Sequence, residues 1–182
     1  LQLASQSGTS DTLTITAGLG TTTTGALDIA ALTVTGFEIL NLRAAPGPDS
    51  TAGGGAAGDR TSNITGTITG ATLREINLTG TAVNITNIAT TVAVTINGSA
   101  LTGDGLAAAS QAGLTVAGSA VVGSTITGSG VRDVFTIAAE GSAYNGGAGN
   151  DSMTTTIALL VADGVTDGTL NGGDGTDTLT LT

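Results

Sequence analysis

Two nine-residue stretches, GGAGNDSMT at 146–154 and GGDGTDTLT at 172–180, share the pattern G-G-x-G-x-D-x-U-x, with U a large apolar residue. The pattern constrains the fold tightly. A glycine-rich turn must reverse the chain just before a strand of a few residues, and so short a strand buries its one large side chain only by stacking on its neighbours. Counting back in nines from Gly146 gives 137–145 and then 128–136, and the sixth and eighth residues of the latter are Asp133 and Phe135. Asp133 and Asp151 are therefore two nonapeptides apart, one coil of a roll, which predicts that they stand on the same side of adjacent coils. Phe135, Tyr144 and Met153 recur every nine residues as core positions. The second strict motif is out of phase. The step from Asp151 to Asp177 falls one residue short of three nonapeptides, so residues 155–162 are expected to break the register by a bulge or a tighter turn before Leu170 and Leu179 restore it.

The residue types in these turns point to a cation. Inward-facing glycine carbonyls and an Asp carboxylate are the oxygen donors that Ca2+ takes, but it needs about six to eight of them. One turn cannot supply that number, so two must stack to complete a site. Gly-Asp turns also form without metal, because both residues suit turn dihedrals, and for an isolated motif that reading is as good. Two full motifs with a third Asp one coil away favour the cation. Asp11, Asp59 and Asp104 lack that setting and read as ordinary turn residues.

Charge excludes other partners. The 182 residues carry 14 acidic against 4 basic side chains, a formal charge of −10. The basic ones, Arg43, Arg60, Arg74 and Arg132, are scattered, whereas phosphate binding needs clustered cations, so no nucleic-acid partner is expected. Without His, Cys or Lys the usual nucleophile and base pairings cannot be assembled. Two carboxylates alone can hydrolyse glycosides, but aromatic and cationic groups to hold a sugar are scarce, and the chain reads as no enzyme. No apolar run reaches transmembrane length and no signal peptide is present. The chain opens on Leu1 and stops inside a strand pattern, which reads as an excerpt of something longer. The five N-x-[ST] sequons, at Asn63, Asn77, Asn84, Asn97 and Asn150, are what an Asn- and Thr-rich chain produces by chance.

Organisation follows the same grain. A β-rich block at 1–45 has strand patterns at 11–16, 31–35 and 37–42; a Gly/Pro-rich loop occupies 46–61; a solenoid block at 62–118 is paced by ITGTITG, REINLTG, AVNITNI and VAVTING; a calcium roll takes 119–182. Core candidates in the solenoid block are Ile64, Ile68, Leu73, Ile76, Leu78, Val83, Ile85, Ile88, Val92, Val94 and Ile96. Glu38 with Asn41-Leu42 matches Glu75 with Asn77-Leu78, which suggests successive rungs sharing an Asn ladder. The one helix candidate is 105–112. SDTLTIT at 10–16 matches TDTLTLT at 176–182, an offset of 166 that suggests tandem repetition. The arginines and Glu38, Glu75 and Glu140 read as solvated or in local ion pairs. The fold class is all-β, a right-handed parallel β-helix or β-roll-like solenoid with calcium turns towards its C-terminal end.

The GGxGxDxLx turns, together with VTGFEILNL at 34–42, resemble the large RTX-type surface proteins of Gram-negative bacteria, including surface-layer proteins. The nonapeptides carry that resemblance over 128–182, and the middle block shares only its texture. The resemblance implies type I export, calcium-dependent folding outside the cell, and a structural role at the bacterial cell surface. It implies self-assembly into an S-layer lattice or filament, and attachment to outer-membrane lipopolysaccharide through parts outside this stretch; the alternative is the stalk of a type I secreted RTX adhesin. By matching positions it makes Asp151 and Asp177 the side-chain ligands of Ca2+, Gly147, Gly149, Gly173 and Gly175 the carbonyl-bearing turn residues, and Asp133 the partner of Asp151. Asp163, Asp167 and Asp174 are further acidic candidates, with Asp167 serving the site at the register break.

Overall fold

Thr, Val and Ile alternate with small or polar residues through most of the chain, and β-branched side chains favour a pleated, half-buried surface. The computed structural model describes residues 8–16, 28–44, 61–104, 111–117, 121–159 and 168–182, and these form fifteen strands. One sheet holds seven: β1 (Thr12–Thr16), β4 (Ile39–Ala44), β6 (Glu75–Gly80), β8 (Thr95–Leu101), β10 (Thr125–Thr127), β12 (Ala143–Ala148) and β14 (Thr169–Asp174), in that spatial order. The other runs from β2 (Asp28–Ile29) through β5 (Thr61–Gly70), β7 (Ala82–Thr90), β9 (Ala112–Ala117), β11 (Arg132–Thr136) and β13 (Ser152–Thr155) to β15 (Thr178–Leu181), with β3 (Leu32–Thr33) also on β5. Every pairing is parallel, and from β4 onward successive strands fall alternately in the two sheets, the topology that a β-solenoid requires.

Register turns this topology into a core. In the first sheet Leu13, Leu40, Ile76, Ile96, Ile126, Tyr144 and Leu170 stand in one unbroken column. In the second, Ile29, Ile64, Ile85, Val116, Phe135, Met153 and Leu179 form another. The buried members of both belong to a single hydrophobic cluster, so the two sheets pack face to face. Burying each large apolar side chain is worth about 1.5–3 kcal/mol. Phe135, Tyr144 and Met153 are all buried, as the nine-residue beat predicts: one nonapeptide carries the chain from one sheet to the other, and a second brings it back. Of the solenoid-block candidates only Val92 is not in the core; it is half-buried in the turn where its carbonyl accepts the Thr90 hydroxyl.

Coil length varies from two nonapeptides, between Ile126 and Tyr144, to the equivalent of four, between Leu40 and Ile76. In the coil from β12 and β13 to β14 and β15 the surplus lies outside the ladders, and this corrects the reading of the step from Asp151 to Asp177. Ala143 pairs with Thr169 and Ser152 with Thr178 with no shift along either ladder. The step is one coil, longer than the two-nonapeptide coil before it, and not three nonapeptides with a bulge; its extra length begins in a 3-10 turn at Ile157–Leu159. The 105–112 helix candidate lies outside the described residues up to 110, and Ala112 opens β9.

The Asn ladder is real and longer than two rungs. Thr14, Asn41, Asn77, Asn97, Thr127, Asn145 and Asn171 form one outward row. Asn77 Nδ2 donates to Asn41 Oδ1 at 3.1 Å. The glutamates do not share the register: Glu75 pairs with Ile39, the residue after Glu38. Glu38 is no free surface charge either, since its Oε2 accepts the Asp11 amide at 2.9 Å, and Glu75 Oε1 accepts Asn77 Nδ2 at 2.7 Å. SDTLTIT and TDTLTLT, though alike, form β1 and β15 in different sheets.

Candidate metal centre

The turns that enter β11, β13 and β15, residues 128–133, 146–151 and 172–177, stack on one edge of the molecule. Their aspartates sew the coils together. Asp133 N–H donates to Asp151 Oδ1 at 2.7 Å, and Asp151 N–H donates to Asp177 Oδ1 at 2.9 Å. Each carboxylate thus commits one oxygen to the backbone of the coil before it. Between the last two turns Asn150 Oδ1 also accepts the Thr176 amide at 2.9 Å, and the Asp174 carbonyl accepts that of Gly149 at 2.8 Å.

Glycine is required in these turns for two separate reasons. Gly147, Gly149, Gly173 and Gly175 have φ of +103°, +124°, +98° and +139°, in the region that L side chains rarely adopt. Gly146 is needed for room: a Cβ there would stand 2.1 Å from Asp151 Oδ2 and 2.3 Å from the Gly172 carbonyl oxygen. The same two distances put these oxygens no more than about 4.4 Å apart. Calcium binds oxygen at about 2.3–2.6 Å, so this separation is within the span of two ligands of one ion.

The two buried carboxylates differ sharply. Asp133 is fully buried, and its oxygens accept the amides of Leu114 and Ser129, the latter at 2.7 Å, and the Ser129 hydroxyl at 2.9 and 3.1 Å. Asp151 is 2% exposed, yet its Oδ2 has no hydrogen-bond partner. An unpaired buried acceptor costs about 1–3 kcal/mol, more when charged. Burial raises the Asp151 carboxyl to about 6; the hydrogen bond from Asp133 N–H opposes this, and the neighbouring charges of Asp133 and Asp177 add to it. Asp133 is raised too, by burial, with its amide and hydroxyl donors acting the other way.

The remaining candidates are spread around this pair. Asp177 is exposed in the last described turn, and Asp174 is exposed at the end of β14, presenting its carbonyl rather than its carboxylate to the neighbouring coil. Asp163 and Asp167 lie outside the described residues. Among the described residues no three Asp, Glu, His or Cys side chains converge into a metal cage. A cation here would have to draw on main-chain carbonyls as well as carboxylates, a donor set that calcium accepts. Sequence reasoning missed Ser129; its signal was Ser and Val at 129 and 131, where the later turns have glycine.

Among the described residues no helix is long and apolar enough to cross a membrane. Compared with protein-family models, with curated proteins and with solved structures, the chain matches none.

Proposed function

We propose that this chain is a calcium-stabilised, right-handed β-roll segment of a bacterial cell-surface protein whose work is structural rather than catalytic. The observation that carries the reading is Asp151 Oδ2: a buried carboxylate oxygen with no partner, packed against Gly146 within about 4.4 Å of the Gly172 carbonyl oxygen of the next turn. Asp151, Asp177 and the carbonyls of the 146–151 and 172–177 turns would hold the ion, which supplies the positive charge that the stacked carboxylates lack. Asp133 stands in the same stack with its oxygens already occupied.

Folding is then coupled to calcium. Where calcium is scarce the carboxylates repel one another and destabilise the downstream coils; at the about 10−4–10−3 M range of weak extracellular modules the ion stabilises them, and its binding energy becomes folding energy. Such a chain passes an export channel unfolded and locks outside the cell. Self-assembly into a lattice or filament is supported by the outward row of Thr and Asn from Thr14 to Asn171, an uncharged rank on every strand of one sheet, suited to close side-by-side packing.

The test is circular dichroism and urea unfolding of the chain in chelator and in millimolar calcium, with Asp177→Ala beside the wild type. Calcium is expected to raise the unfolding midpoint, and Asp177→Ala to raise the calcium needed severalfold. Identical spectra and midpoints with chelator and calcium refute the reading. Electron microscopy of the calcium-loaded protein separates its two forms: ordered sheets or fibres support assembly, whereas dispersed monomers favour an adhesin stalk.

A further inference from the structure

The three stacked turns do not offer three equal cation sites. Gly128 and Gly146 make the same cradle: a Cβ at Gly128 would lie 2.2 Å from the Gly146 carbonyl oxygen and 2.4 Å from Asp133 Oδ2, which mirrors the Gly172 carbonyl and Asp151 Oδ2 around Gly146. The next positions differ. Gly147 and Gly149, like Gly173 and Gly175, have positive φ, whereas Ser129 and Val131, their counterparts two nonapeptides upstream, do not. Peptide planes that are turned in the later pair of turns are therefore unturned in the first.

The consequence is visible at the carboxylates. In the upstream turn the Ser129 amide points at Asp133 Oδ2 from 2.7 Å and the Ser129 hydroxyl reaches both oxygens. Together with the Leu114 amide, these donors occupy the carboxylate with protons. One coil downstream, where Gly147 has neither a hydroxyl nor that backbone conformation, Asp151 Oδ2 receives nothing. A cation needs lone pairs facing it, and at Asp133 it would meet N–H and O–H groups instead.

We propose that Ser129 takes the place of a metal ion at Asp133, so that the cation array of this roll starts at the Asp151 turn and is closed on its upstream side. The inference rests on the calcium reading of the later turns for what Ser129 replaces. It assigns Ser129 and Val131 as the residues that set the number of ions bound.

Calorimetric titration of the chain with CaCl2 and amide exchange in chelator test it together. Ser129→Gly/Val131→Gly is expected to bind one more calcium per chain than the wild type, and Asp133→Asn to bind as many as the wild type. In chelator the Leu114 and Ser129 amides should be protected, and Asp133→Ala, which removes the acceptor of both, should speed their exchange about tenfold or more. Loss of an ion in Asp133→Asn overturns the proposal, as does a folded double variant that gains none. If no variant binds calcium, the functional reading fails by itself, and exchange decides whether protein donors close Asp133: release of both amides in Asp133→Ala upholds it, and unchanged protection overturns it.

Discussion

Replacing Asp151 by Asn keeps the side chain's shape and the Oδ1 acceptor for Asp133 N–H while deleting the charge, and its effect should change sign with calcium. In the metal-free fold the Asp151 carboxyl stands at about 6 against an ordinary 3.8. At about 1.4 kcal/mol per pH unit, holding it ionised at neutral pH costs up to about 3 kcal/mol. A folded-state pKa above the unfolded one means that the fold binds the extra proton. Its contribution to stability is complete below pH 3.8 and is lost as pH rises through about 6. The facing groups do not cancel this: burial raises Asp133 in the same direction, Asp177 adds negative charge, and the Asp133 N–H and Arg132 oppose without reversing the shift.

In chelator at pH 7.5, Asp151→Asn should therefore be more stable than the wild type by up to about 3 kcal/mol, with the advantage vanishing near pH 4. In calcium at about a hundredfold its Kd the wild type gains about 2.7 kcal/mol, and the variant, without the charged oxygen, should lose most of that gain. Urea unfolding followed by circular dichroism at the two pH values, with and without calcium, measures all of these. A variant less stable than the wild type in chelator at pH 7.5, or a metal-free wild type whose stability is flat from pH 4 to 7, would refute the argument that an uncompensated buried charge sits at Asp151.

Ile76 is fully buried between Leu40 and Ile96 in the apolar column, far along the axis from the aspartates, so Ile76→Ala should cost about 2–5 kcal/mol, equally in calcium and in chelator. Gly147→Ala forces a side chain onto a φ of +103° with its Cβ 2.2 Å from the Ser129 carbonyl oxygen, and should lower stability in chelator by at least about 1–3 kcal/mol and weaken calcium binding in the same titration.

Much of this arrangement was legible because the nonapeptide ties each role to a position. Glycines mark where the backbone must turn left-handed or approach closely, the Asp stands two residues before the apolar side chain, and a two-nonapeptide coil follows; hence Asp133 over Asp151, and Phe135 over Met153, could be read from spacing alone. Residues that lengthen a coil carry no such tie. The surplus before β14 is free in sequence because it leaves the ladder, so counting in nines across it implies a register break where the strands in fact stay aligned. The same freedom undoes the comparison of SDTLTIT with TDTLTLT: a strand entering either sheet presents the same alternation, and local pattern does not say which sheet it joins. The state of each carboxylate was beyond reach for a different reason. Whether an Asp is closed by protein donors depends on the φ of residues two and four positions earlier, and only the structure shows Ser129 turned onto Asp133.

The distribution of apolar and acidic groups along the axis explains why a cation matters at one end only. Strands β4 and β6 each bury two large side chains, Leu40 with Leu42 and Ile76 with Leu78, on top of buried neighbours in the facing sheet. Strands β11, β12 and β13 each bury one: Phe135, Tyr144 and Met153. Among the described turns, those of the same coils are the richest in glycine, whose ordering costs more backbone entropy than that of any other residue. Downstream coils thus gain less from burial and lose more on folding, while the carboxylates that stitch them carry a charge penalty upstream coils do not have. That balance makes the downstream coils the less stable part of the fold at neutral pH. It can be tipped by a ligand that neutralises the stack, and because the penalty is set by burial of Asp133 and Asp151 rather than by strand sequence, the fold can keep its upstream half permanently and hold its downstream half conditionally.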